Sequence, residues 1–124
     1  MINHQQLITT GLNYEATSLR YPFAPDLPVL FVMEKMFALL GHRDDCEMVN
    51  LKTSPDEAWL HRSTYPESVL PGYHMNKKHW NTVLLNGSVP DQVVLDMLFE
   101  SYQRVIANLP KAARESLRLR SGMH

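Results

Sequence analysis

Val29-Leu30-Phe31-Val32-Met33-Glu34-Lys35-Met36-Phe37-Ala38-Leu39-Leu40 is the stretch on which the fold turns. Two runs rich in strand formers flank Glu34-Lys35, which reads as a two-residue hairpin turn. Neither turn residue is the Asn or Gly that such turns favour. Gly41-His42-Arg43-Asp44-Asp45 follows as a polar loop, and Glu47 to Lys52 alternates as a third strand. Strands this close along the chain pair antiparallel, because a parallel crossover needs many more residues.

Working outward, Asn3 caps a first helix over residues 3–12, with Leu7, Ile8 and Leu12 on one face. Pro22, Pro25 and Pro28 keep the approach to the hairpin irregular. Downstream, Ser54-Pro55-Asp56-Glu57 is a helix start, with Ser54 as cap, Pro55 at the first position and Glu57 three residues on. That helix runs through Trp59 and stops before Pro66. Pro71-Gly72 marks a turn, and Trp80 to Leu85 reads as a fourth strand. Ser88 and Asp91 open the longest helix. Its apolar face is Val94, Leu98, Tyr102, Val105 and Leu109, and Pro110 closes it. A short basic helix over 111–119 ends the pattern. Trp59, Trp80, Met33, Met36, Met48 and Met97 are expected to be packing residues. The whole is one α+β domain over residues 1–124, an antiparallel sheet with helices packed on one face.

Composition narrows the function classes. The chain has 124 residues, 44% hydrophobic, with a formal net charge of −1, so no global field draws it to a polyanion. Charge is uneven: residues 1–62 sum to −3 and residues 63–124 to +2. Cys46 is the single cysteine, which forbids an internal disulfide and suits a reducing compartment. The start, Met1-Ile2-Asn3-His4-Gln5-Gln6, lacks the basic and apolar runs of a signal peptide, and no run is long enough to span a membrane. A cytoplasmic protein, monomeric or weakly dimeric, is expected.

The densest cluster of chemistry-bearing side chains is Tyr73-His74-Met75-Asn76-Lys77-Lys78-His79-Trp80. Lysines neutralise phosphate, amides and imidazoles add polar contacts, and aromatic rings stack on bases. The same residues also suit a solvated turn anchored by Tyr73 and Trp80. His74 and His79 alone supply too few ligands for zinc, and lysines beside them repel a cation, so no metal or other cofactor is expected. No catalytic residue is assigned: Cys46 follows Asp44 and Asp45, whose charge disfavours a thiolate, and Ser101 sits inside a helix.

Three stretches, Val49 to Pro55, Pro71 to Val83, and Ser101-Tyr102 followed by Leu109-Pro110, resemble in order and spacing the MmcQ/YjbR family of small bacterial proteins. The resemblance covers roughly residues 20–110. It implies a CyaY-like (frataxin-like) fold and a DNA-binding role through a double wing of hairpin loops. Carried over, it marks Lys52, His74, Asn76, Lys77, His79 and Trp80. The first helix carries no carboxylate, so the acidic iron-binding ridge of frataxins is not expected. The expectation is weak, salt-sensitive contact with DNA through Lys35, Lys52, Tyr73, His74, Asn76, Lys77 and Lys78, with His79 and Trp80 serving the fold. The alternative is a binder of small anionic ligands, or an enzyme, with a pocket around His74, His79 and Trp80.

Overall fold

The computed structural model describes residues 1–122. Its element order is α1 (His4–Gly11), β1 (Thr17–Arg20), β2 (Val29–Val32), β3 (Lys35–Arg43), β4 (Cys46–Lys52), α2 (Pro55–Thr64), β5 (Val69–Pro71), β6 (Trp80–Leu84), α3 (Asp91–Ala107) and α4 (Lys111–Gly122). The six strands form one sheet in the order β1-β2-β3-β4-β6-β5, antiparallel throughout.

Strand alternation divides the sheet into two faces. Ala38 and Leu40 lie opposite Leu51 and Val49, and Val49 lies opposite Val83. All five are buried in the main core, together with Leu7 of α1 and Val94, Leu98, Tyr102 and Val105 of α3. Burying each large aliphatic side chain there contributes roughly 1.5–3 kcal/mol. Helix α2 docks on the same side, where Arg62 Nε donates to Asn81 Oδ1 (2.7 Å) and Asn81 Nδ2 donates to Ala58 O (3.4 Å). Leu39, Gly41, Met48, Asn50 and Thr82 point to the other face, which the helices leave free.

The hairpin forms, but its turn sits one residue earlier than expected. Val32 pairs with Lys35, so Met33-Glu34 is the turn and Lys35 begins β3. Met33 takes a left-handed φ of 54°. The cause is tertiary: Arg20 of β1 donates to Met33 O (3.1 Å) and pairs with Glu34 at 3.0 Å. Strand β3 also runs on to Arg43, through the stretch expected as loop, and Asp44, with φ 56°, makes the reversal.

Strands β1 and β5 are additions to the expected set. Both are short edge strands, four and three residues long, and neither shows buried–exposed alternation. At the start of α3, Ser88 is not the cap: Pro90 occupies that position with no side-chain cap bond. Asp91 is engaged instead by the Ile2 amide, which donates to its Oδ1 at 3.0 Å. Trp59 was expected in the core and is 68% exposed, because α2 turns that side away from the sheet. Leu12 likewise lies exposed at the C-cap of α1. The α3 face, Trp80, Met48 and Met97 are buried as expected.

Candidate functional site

The antiparallel order brings the start of β3, the end of β4 and the start of β6 to one end of the sheet. Lys35, Lys52 and Trp80 therefore meet there, around a hollow of about 270 Å³ walled also by Val105 and Asn108. Lys52 stands directly across from Trp80 in the β4–β6 register. The neighbouring carboxylate, Glu34, is occupied by Arg20, whose hydrogen bonds hold it below the ordinary carboxyl value. No lysine enters an ion pair among the described residues.

Residues 72–80 leave this end as a tight loop. Gly72 starts it because a Cβ there would lie 2.8 Å from Trp80 Cβ and 2.9 Å from Trp80 O. Asn76 is the hub: its Oδ1 accepts from the Lys78 amide (2.9 Å), and its carbonyl accepts from the His79 and Trp80 amides. Arg62 braces the loop from α2, donating to Lys77 O and Trp80 O. Lys77 Nζ donates to Gly72 O at 3.3 Å, while Lys77 and Lys78 remain exposed. His79 is half-buried, and its carbonyl accepts from the Thr53 amide.

Tyr73 and His74 leave the basic end and fold over the free face of the sheet. The Tyr73 amide donates to Thr82 Oγ1 (2.9 Å), and His74 takes a left-handed φ of 58°. The two rings pack at 4.0 Å, and the Arg43 guanidinium lies 5.8 Å from the Tyr73 ring. Phe23 and Leu27 come from the proline-rich approach segment. Together with Tyr73, Met75, Leu39 and Met48 they line an open apolar cavity of about 480 Å³. Asn50 also lines it and is 1% exposed. Thr82 Oγ1, already an acceptor for Tyr73, donates its proton to Asn50 Oδ1. That chain orients the amide and leaves Asn50 Nδ2 buried without a partner.

The structure thus divides the residues singled out by sequence into three groups. Lys35, Lys52 and Trp80 share the basic end, and Asn76, Lys77, Lys78 and His79 form the loop beside it. Tyr73 and His74 belong to the cavity. His74, His79 and Trp80 do not converge on one pocket. Asn50, Thr82, Arg43, Arg62, Phe23 and Leu27 were missed. Asn50, a polar residue inside an apolar strand, was the one signal available for them.

Fold and site together define a small α+β domain: a six-stranded antiparallel sheet, helices on one face, a lysine-rich end and an apolar hollow on the other face. The chain belongs to the YjbR family, whose model matches residues 12–104. It is 32% identical over 119 residues to the uncharacterized protein YbdF of Escherichia coli O157:H7, covering 96% of this chain and 95% of that one. It is 38% identical over 86 residues to YjbR of Escherichia coli K12, covering 69% and 72%. Among solved structures, the Deinococcus radiodurans protein DR2400, with a DUF419 domain, superposes with a TM-score of 0.83 at 31% identity, over 91% of this chain and 86% of that one. A Pseudomonas syringae protein superposes with a TM-score of 0.68 at 30% identity, over 82% and 97%. No helix among the described residues is long and apolar enough to cross a membrane.

Proposed function

We propose that this protein is a non-enzymatic, cytoplasmic DNA-contacting protein, monomeric or weakly dimeric, that holds the phosphate backbone at the lysine-rich end of its sheet. The observation that carries the reading is the meeting of Lys35 and Lys52 around Trp80, with Lys77 and Lys78 exposed on the adjoining loop and no carboxylate pairing any of the four among the described residues. In this reading the Met33-Glu34 turn and the 72–80 loop, on either side of the β4 end in the strand order, serve as the two wings. Tyr73 and His74 turn away from this end onto the free face, so the contact rests on the lysines. Arg20 and Arg62 are both engaged within the fold, so neither guanidinium is free to make a bidentate base contact. Lysine point charges support association that is weak, salt-sensitive and indifferent to sequence.

The test is anisotropy titration of a labelled duplex at several salt concentrations. With about four phosphates neutralised, log K should fall against log salt with a slope of about −3 to −4. Lys77→Ala/Lys78→Ala should flatten that slope by about 2. Absence of wild-type binding at low salt, or an unchanged slope in the double variant, overturns the proposal.

A second reading rests on the free-face cavity and its unpartnered Asn50 amide. It makes the protein a receptor for a small, mainly apolar molecule bearing an acceptor group, such as an aromatic carboxylate. An unmet buried donor penalises the free protein and rewards an acceptor that reaches it. The flexible Met48 and Met75 side chains can turn aside to admit one. In a ¹H–¹⁵N NMR titration, 2-naphthoate should move the Asn50 side-chain amide and bind about tenfold tighter than 2-methylnaphthalene. Equal affinity for the two, or no response around the cavity, removes this reading without touching the DNA result.

A further inference from the structure

At the sheet end opposite the lysines, α1 meets the β3–β4 hairpin, and three side chains from distant positions converge. His4 is buried in the first turn of α1, Glu47 lies on β4, and His42 stands directly across from Glu47 on β3. One donor atom from each lies within 4.8 Å of the others. We propose that His4 Nδ1, His42 and a Glu47 carboxylate oxygen bind a divalent late first-row metal ion of the zinc class, with a fourth position left to water.

Two orienting contacts separate this cluster from a chance meeting of surface groups. His4 Nε2 lies 2.9 Å from Met48 O, and a carbonyl only accepts, so Nε2 carries the proton. In the neutral form that binds a metal the lone pair is then on Nδ1, which faces Glu47 Oε2 at 3.6 Å. Metal-binding imidazoles commonly have their second ring nitrogen fixed in this way by a carbonyl or carboxylate. The Glu47 carboxylate is held too: its Oε1 accepts from the His4 backbone amide at 2.9 Å, which leaves Oε2 turned to the ring. Ligands bonded at about 2.0–2.1 Å in a tetrahedral shell stand about 3.3–3.5 Å apart, close to the separation His4 and Glu47 already have. The His42 ring sits edge-on to His4 with centroids 5.2 Å apart, and its exposed side chain is free to close the set.

Two imidazoles and one carboxylate favour zinc or a neighbouring transition ion over magnesium or calcium, which take oxygen ligands. A bound ion would fasten α1 to the sheet, and its open coordination position would face solvent. Arg43, the residue after His42, is turned to the Tyr73 ring at 5.8 Å, and Lys35, Lys52, Lys77 and Lys78 lie at the far end of the sheet, so the lysine repulsion that argues against His74 and His79 does not operate here.

The test uses the intact chain freed of metal by a chelator and titrated with zinc by calorimetry. Cobalt(II) absorption reports geometry. Expected are one ion per chain, a four-coordinate cobalt spectrum, and a higher thermal midpoint with zinc. His42→Ala, at an exposed position, should keep the fold and weaken binding by about tenfold or more. His61→Ala removes the histidine of the other candidate group, Glu57, His61 and Glu100, and should change nothing. No binding by the wild type, a six-coordinate cobalt spectrum, affinity unchanged in His42→Ala, or affinity lost in His61→Ala each overturns the assignment.

Discussion

Ser101 shows how much one side chain can carry in this fold. It is fully buried on α3; its hydroxyl donates to Phe37 O on β3 and accepts from the Lys52 amide on β4 (2.8 Å). Phe37 has no partner in the β2–β3 register, where the pairing slips, so its carbonyl needs this outside donor. A serine in mid-helix reads as a weak helix former or a remote nucleophile, and its use here is to satisfy two strand groups at once. Ser101→Ala should therefore destabilise by about 1–3 kcal/mol, since it strands buried backbone groups. Urea unfolding checks this, and a loss well below 1 kcal/mol would mean that water replaces the hydroxyl. Its neighbour Glu100 accepts from Thr53 Oγ1 at 2.9 Å, so consecutive residues of α3 hold the end of β4.

Among the elements, α3 also ties the segment between α1 and β1 to the core. The Tyr102 hydroxyl donates to Glu15 O at 2.8 Å, and its ring packs against Tyr14 and Phe37. Burial, with added repulsion from Glu15 and Tyr14, pushes the Tyr102 phenol up to about 12 from an ordinary 10.0. The neutral phenol is thus favoured in the folded state. Its stabilising contribution is complete below pH 10 and is lost as pH rises through 12, because the unfolded chain ionises first. Tyr102→Phe should cost about 1 kcal/mol at neutral pH, and the gap between wild type and variant should shrink from pH 10 to 12. Thermal melts across that range decide it, and a constant gap would show that the phenol's ionisation is not linked to folding. The element pattern itself was legible where periodicity was strong: α1, β2, β4, α2, β6 and the buried face of α3 all follow it. It failed at β1 and β5, where three or four residues offer no period, and at the Met33-Glu34 turn, where Arg20 overrides local preference.

At the scale of the whole molecule, sequence alone determined the class of fold and the family motif. Periodic burial and chain economy leave few ways to pack these strands and helices. The segment from Tyr73 to Trp80 stood out because it concentrates charge and rings within one short stretch. Tertiary structure alone decided which of those residues act together. Antiparallel pairing carries Lys35 and Lys52 to Trp80, and the fold-back of the loop sends Tyr73 and His74 over the helix-free face above Asn50. The meeting of His4, His42 and Glu47 was equally invisible, with His4 and Glu47 43 positions apart along the chain. Local patterning reports what a residue's neighbours in sequence need. A site is a property of distance in space, and here that distance is set by strand order and by which face of the sheet the helices leave uncovered.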